Sequence, residues 1–318
     1  MTAIETHDLT KYYGDLCAVD HLSLSVDNEI FALLGPNGSG KTTTVLMLTT
    51  LLRPTEGTAT VCGFDCATEG DKVRKKLSYV PQDMAVDIRL TGRENVVFFA
   101  KLYGVPDPRG QADEALAIME LSDRADDLVK TYSGGMRRRL ELAQALVHEP
   151  AVLFLDEPTL GLDVAARKKI WEHIRELRSR GMTVFVTTHY MDEADKFCDR
   201  VAIISRGSIK AIGEPKDLKA RLMKDVITAK ISGEYIPFEL SGIRYVGRKE
   251  DEVSFTAENG REALPLIAES LAARGMKVHS LSLHEPTLDD VFLNVVGSSD
   301  EPRSFNDQQF RVMLRRRK

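Results

Sequence analysis

The stretch GPNGSGKT at residues 35–42 constrains this chain more than any other. It fits G-x-x-x-x-G-K-[ST]; the apolar run EIFALL (29–34) precedes it, and a helical pattern from about Thr42 to Leu52 follows. A glycine-rich turn between a buried strand and a helix points backbone N–H groups inward. The helix N-terminus adds a favourable dipole, and the two together suit a bound phosphate. Gly35, Pro36, Asn37, Gly38, Ser39, Gly40, Lys41, Thr42 and Thr43 are the candidate contacts to such a ligand. In this pattern Lys41 offers a point charge to β- and γ-phosphates, and Thr42 offers a hydroxyl to Mg²⁺.

The rest of the chain alternates in the way that motif requires. HLSLSV (21–26) reads as a half-buried strand. After residue 150, AVLFL (151–155), a helix over 163–180, TVFVTT (183–188), a helix over 190–198 and RVAIIS (200–205) follow in turn. In the longer helix Ile170, Ile174 and Leu177 form one apolar stripe that faces a sheet. Apolar strands alternating with helices predict a mainly parallel α/β sheet. Residues 90–147 read as mostly helical and interrupt it as an insert. After about Leu218 the texture changes to strands DVITAKIS and EVSFTA, a helix over 260–274, then KVHSLSLHE and TLDDVFLNVV, a small α+β module. From Ser298 the chain is polar and ends RVMLRRRK, which reads as a mobile tail.

A second half of the phosphate site is legible at AVLFLDEPT (151–159). The strand delivers Asp156 at its C-terminal end, where α/β sheets bind ligands. There Asp156 suits Mg²⁺ held through its water shell, and Glu157, pointing the other way, suits polarising an attacking water. Gln82 after SYVP is placed to report on phosphate or metal to the helical insert. His189 ends TVFVTT, where it could bridge γ-phosphate and water, and Tyr13 in KYYG could stack on adenine. A further glycine pair lies in YSGGMRRRLELAQAL (132–146), opening a helix far from the first loop. At least two of Arg137, Arg138 and Arg139 read as a solvated face opposite Met136, Leu140 and Ala143.

With these residues in view, the sequence resembles the ATP-binding cassette family over about residues 1–220. That resemblance implies a P-loop NTPase (RecA-like) core with an antiparallel β subdomain and an inserted helical subdomain. The domains would be a nucleotide-binding domain over 1–218, with its helical part at about 90–147, and a module over 219–297. A tail over 298–318 would follow. It also implies that two such domains face each other head to tail around two ATP molecules. Ser133, Gly134 and Gly135 would then meet the ATP held by the partner's loop, and Asp163 of LGLD would cross the seam. Tyr132 and Met136 stand where the commonest signature has Leu and Gln. Together with LTGRENVVFFAKLYG and EPTLDDVFL (285–293), they look like the daunorubicin-resistance type of drug-export ATPase. The type implies a separately encoded integral-membrane permease subunit, a second nucleotide-binding subunit, and a place at the cytoplasmic face of the membrane.

Composition narrows the alternatives. A net charge of −5 gives no reason to expect a nucleic-acid partner. Four scattered cysteines predict a reducing compartment, with Cys62 and Cys66 as ordinary thiols beside a weaker zinc reading. No segment approaches the roughly 18 apolar residues of a membrane span, and the N-terminus lacks a signal-peptide pattern. The competing function is a soluble cassette ATPase in translation or DNA repair, against which one cassette and no sustained heptads argue. A small-molecule kinase fails on YSGGM and the Asp156–Glu157 pair, and intact Glu157 and His189 argue against a cassette that only binds.

Overall fold

Alternation in the first 26 residues produces two long antiparallel strands, β1 (Ile4–Tyr13) and β2 (Leu16–Val26), turning at Gly14 with φ of 60°. They belong to the computed structural model, which describes residues 2–222, 224–232 and 238–296. The apolar run becomes β3 (Ile30–Leu34), and the glycine loop leads into α1 (Lys41–Leu48). Next come β4 (Glu56–Val61), β5 (Phe64–Asp65), α2 (Gly70–Arg74) and β6 (Leu77–Val80). The helical insert supplies α3 (Gly92–Leu102), α4 (Pro108–Ile118) and α5 (Gly134–Leu146). The core resumes with β7 (Val152–Asp156), α6 (Val164–Ser179), β8 (Thr183–Thr188), α7 (Met191–Phe197), β9 (Arg200–Ser205) and β10 (Ser208–Gly213).

Two sheets result. One has the order β2-β1-β4-β5 and is antiparallel; the other runs β10-β9-β3-β8-β7-β6, with β9 to β6 parallel. Every residue of β3, β7 and β8 is buried, as strands covered on both faces must be. Phe31, Phe185 and Phe154 stand in register across these three strands, with adjacent ring centroids 5.4 Å apart. They share one core with Val45, Met47 and Leu48 of α1 and with Ile4, Leu9 and Val19 of the antiparallel sheet. Register also sets the site: Leu34 pairs with Thr188, and Asp156 with Thr187. The C-terminal ends of β3, β8 and β7 therefore open side by side, where the glycine loop, His189 and the Asp156–Glu157 pair emerge.

The insert is held by its caps. Thr91 and Glu94 form a capping box on α3, Asp107 with Pro108 starts α4, and Ser133 caps α5 by accepting from Met136. A second compact unit starts at Gly213. It contains α8 (Pro215–Leu222), β11 (Asp225–Ser232), β12 (Ile243–Lys249), β13 (Glu252–Ala257), α9 (Gly260–Ala273), β14 (Lys277–His284) and α10 (Leu288–Val296). Its antiparallel sheet has the order β12-β13-β11-β14, and Ala263, Ile267 and Leu271 of α9 cover the face bearing Ile227, Ala229, Val253 and Phe255.

Three sequence expectations need revision or placing. The helix after the loop stops at Leu48, four residues early, because Thr50 takes a φ of 65° that a helix cannot continue through. Strand β12 was not anticipated: its pairing slips between Tyr245 and Gly247, which breaks the period-2 pattern. The tail from residue 298 lies outside the described residues. Among those described, no helix is long and apolar enough to cross a membrane.

Candidate functional site

The loop between β3 and α1 adopts a conformation that its glycines make accessible. Gly38 and Gly40 hold φ of 80° and 107°. Gly35 is constrained by space instead: a Cβ there would lie 2.3 Å from the Ile204 carbonyl oxygen and 2.6 Å from Ser39 Oγ. That carbonyl belongs to β9 and cannot yield. Gly35→Ala is therefore expected to cost about 1–3 kcal/mol of cassette stability and to weaken nucleotide binding, as melting curves and titration with a fluorescent ATP analogue would register. Lys41 is buried and folds back over the loop, its ammonium donating to the carbonyls of Gly35 at 2.7 Å and Pro36 at 3.2 Å. Ser39 Oγ is buried with no hydrogen-bond partner among the described residues, an open donor within the loop. A phosphate-binding turn would leave such a donor.

The carboxylates that follow β7 divide the neighbouring groups between them. Asp156 is buried; Oδ2 accepts from Thr42 Oγ1 at 3.1 Å and from the Tyr79 hydroxyl at 3.5 Å, while Oδ1 accepts from Thr187 Oγ1. Burial, reinforced by Asp156, pushes the Tyr79 phenol up, so it stays protonated and able to donate. Glu157 has a φ of 50°, and its N–H donates to the Thr187 carbonyl at 3.0 Å. This left-handed turn carries its carboxylate to within 3.5 Å of Lys41 Nζ and 2.8 Å of His189 Nδ1. The sequence expects Glu157 to point away from Asp156; the two do take separate partners, yet both face the glycine loop. Burial draws the Lys41 ammonium down from its ordinary value, and Glu157 counteracts part of that pull.

The donor set suits a hard cation with a phosphate ligand. Thr42 and Asp156 offer two oxygens side by side, and Mg²⁺ takes one or two protein oxygens together with phosphate and water. Among the described residues no group of three His, Cys, Asp or Glu could hold a metal by itself, which such a shared site does not require.

The remaining candidates separate into those brought to the loop and those held apart. Tyr13 is half-buried, with burial raising its phenol and the Thr43 hydroxyl within hydrogen-bonding reach, so its ring borders the start of α1. Gln82 is exposed on the loop after β6, and no hydrogen bond ties it to another described residue; the carbonyl of its neighbour Pro81 shares the Arg138 guanidinium with the carbonyl of Asp156. Ser133 and Gly134 are exposed, and Gly135 is half-buried with its backbone against α6, where a Cβ would meet that of Ala166 at 2.9 Å. No hydrogen bond joins these three to loop 35–43. Asp163 is exposed and caps α6 through the Ala166 N–H at 2.8 Å.

Two functional residues escaped the sequence. Arg138, one of three arginines of which at least two were expected on a solvated face, is buried, and its guanidinium donates to the carbonyls of Pro81 and Pro158 at 2.9 Å and of Asp156 at 3.2 Å. It also pairs with Glu141 at 2.9 Å, whose other oxygen accepts from the Ala85 N–H at 2.6 Å. The loop around Gln82, the helix α5 and the end of β7 thus meet on one buried ion pair. Glu193 on α7 is the second, a buried carboxylate behind the segment that follows Glu157. The signal for Arg138 was the stripe 138, 142, 145, a helical face that its two arginine neighbours obscure.

Comparison with known proteins supplies the context. The family described as ABC transporter matches residues 19–160, and the family described as ATP-binding protein DrrA1-3-like, C-terminal domain, matches residues 213–296. The chain is 41% identical to the daunorubicin/doxorubicin resistance ATP-binding protein of Streptomyces peucetius, covering 95% of this chain and 94% of that one. It is 36% identical to the linearmycin resistance ATP-binding protein of Bacillus subtilis (strain 168), over 92% of this chain and 98% of the relative. Among solved structures it is similar to an ATP-binding cassette captured as a dimer in a post-hydrolysis state with ADP and Pi. That match has a TM-score of 0.60 and 27% identity, and covers 66% of this chain and 98% of that one.

Proposed function

The chain belongs to the ATP-binding cassette family, in the branch of the daunorubicin-resistance ATP-binding proteins, and from that premise we propose how it works as the ATPase subunit of an exporter. The observation that carries this reading is the meeting of Lys41, Glu157 and His189 beside the Thr42–Asp156 pair at the open end of the parallel sheet. Lys41 turns from the carbonyls of Gly35 and Pro36 to the phosphate oxygens of ATP. When bound, Mg²⁺ supplies the positive charge that offsets those oxygens, and Thr42 and Asp156 are the residues that would hold it. Glu157 accepts a hydrogen bond from water and takes its proton as the water oxygen bonds to the γ-phosphorus and the bridging P–O bond breaks. His189, oriented through Nδ1 by Glu157, turns its other ring nitrogen to the phosphate. Tyr13 stacks on the adenine.

Ser133, Gly134 and Gly135 take their role from a second nucleotide-binding subunit. Exposed and unconnected to their own loop, they present a helix N-terminus to the ATP of the partner, with Asp163 at the seam. Two bound ATP molecules favour the closed pair over the open one, and hydrolysis removes that preference. Gln82, on the loop that Arg138 and Glu141 fasten to α5, transmits the change to the helical insert.

A separate integral-membrane subunit receives the motion, at the membrane's cytoplasmic face. Support comes from the insert's surface, where Phe98 and Leu102, one turn apart on α3, are exposed with Met84 and Ile88. Exposed apolar patches of this kind mark partner surfaces. The test is affinity capture of the tagged chain from detergent-solubilised native membranes, read by mass spectrometry. A polytopic membrane protein is expected in near-equal amount, and Phe98→Asp with Leu102→Asp is expected to lose it. Capture of ribosomes or soluble partners alone would leave the ATPase and remove the exporter.

A further inference from the structure

The segment after Glu157 leads through Thr159 and Leu162 to Asp163, and its posture is fixed from behind by a cluster with no part in the chemistry described above. Glu193 lies at its centre. Its Oε2 accepts from Thr159 Oγ1 at 2.7 Å and from the Trp171 indole N–H at 2.9 Å. All three side chains are buried. Its Oε1 is buried too, has no hydrogen-bond partner among the described residues, and faces the Arg167 guanidinium at 3.9 Å. A buried carboxylate oxygen left open beside an arginine is costly, and native folds retain few of them.

Arg167 explains why that cost is retained. Its Nε donates to the Leu162 carbonyl at 2.9 Å, immediately before Asp163. Its guanidinium lies over the Tyr190 ring at 4.4 Å, with Nη2 3.5 Å from the Tyr190 hydroxyl. Tyr190 in turn packs against His189, ring centroids 4.2 Å apart. One arginine therefore touches the Asp163 segment, the neighbour of His189 and, at a longer reach, the open oxygen of Glu193. Any movement of His189 away from Glu157 disturbs Tyr190, and Glu193 Oε1 is the nearby acceptor for an Arg167 that loses its stacking partner.

We propose that Glu193 is a positioning residue: with Arg167 it couples the placement of His189 to that of Leu162 and Asp163, so that nucleotide engagement sets the segment's posture toward the second subunit. This rests on the ATP-sandwiched pair proposed above. The polar partners of Glu193 are Thr159, Trp171 and Arg167, none of them in loop 35–43, so the coupling acts on closure and turnover rather than on ATP capture.

The chain's single tryptophan, Trp171, donates to Glu193 itself and stacks on Phe197 at 5.0 Å, which provides a direct optical readout. The experiment compares Glu157→Gln with the double variant Glu157→Gln/Glu193→Gln in Mg-ATP titrations, followed by light scattering and Trp171 emission. The double variant is expected to need about tenfold more Mg-ATP for half-dimerisation and to lose the ATP-dependent emission change. In the otherwise wild-type chain Glu193→Gln is expected to lower kcat while the affinity of the monomer for a fluorescent ATP analogue is unchanged, and Glu193→Asp to recover part of the turnover. Arg167→Lys, which keeps the charge but loses the stacking plane, is expected to act in the same direction and covers the case in which Glu193→Gln folds poorly. Equal dimerisation midpoints for the single and double variants, or a fall in stability with kcat per folded molecule unchanged, would overturn the coupling while leaving the sandwich intact. A monomeric Glu157→Gln in saturating Mg-ATP would remove the sandwich, and the coupling with it.

Discussion

Glu157→Gln is expected to cut phosphate release by about a thousandfold while ATP binding holds or tightens, leaving a stable dimer in Mg-ATP. The amide oxygen of Gln can still accept from His189 Nδ1, so the ring keeps its orientation; what disappears is the capacity to take a proton from water. The effect on Lys41 sets the sign for binding. Its ammonium lies 3.5 Å from Glu157 in a buried setting, and an incoming phosphate competes with that carboxylate for it. Removing the competitor frees the lysine for the nucleotide. Bound ATP that is not cleaved then holds the pair shut. Steady-state phosphate release and light scattering check both halves. Turnover within tenfold of wild type would exclude Glu157 as the base, and a monomer in saturating Mg-ATP would exclude the sandwich.

How much of this was legible beforehand depends on whether the chemistry is local. The glycine loop, Lys41, Thr42 and Asp156 were readable because one short stretch carries both the backbone geometry and the ligand groups, and the flanking strands state where the stretch must sit. His189 was readable for the same reason, at the end of an apolar strand. Gln82 has less to fix it, since a polar residue on an exposed loop follows no periodic pattern. Glu193 was invisible because its value comes from Thr159 and Trp171, two residues on other elements. Arg138 could not be told from its two neighbours: the sequence puts at least two of the three arginines on a solvated face without saying which. A run of three arginines at a helix start satisfies the ordinary rule for a solvated face, and the rule fails where non-local carbonyls converge. Arg139 departs from it in part as well, donating to the carbonyls of Met119 and Glu120.

Arg138 carries the largest stability effect expected here. Arg138→Met leaves Glu141 buried without its cation and strips the carbonyls of Pro81, Asp156 and Pro158 of a shared donor. Breaking one side of a buried ion pair costs about 3–5 kcal/mol, because the charge left behind keeps its desolvation penalty. For a cassette of this size that corresponds to a fall of about 10 °C in its Tm. A neutral partner should restore part of the loss. In Arg138→Met/Glu141→Leu no charge remains stranded, and a well-packed apolar pair is often no worse than the ion pair it replaces. The recovery will be incomplete, since the three carbonyls and the Ala85 N–H bound by Glu141 still lack partners. Turnover distinguishes what the pair is for. If it serves stability alone, the double variant regains activity along with its Tm. If it holds the Gln82 loop to α5 and to the end of β7, the double variant melts nearer to wild type yet stays slow. The convergence of one guanidinium of α5 on three carbonyls from two other segments favours the second outcome, because an apolar pair can fill the volume but cannot fix those carbonyls in place.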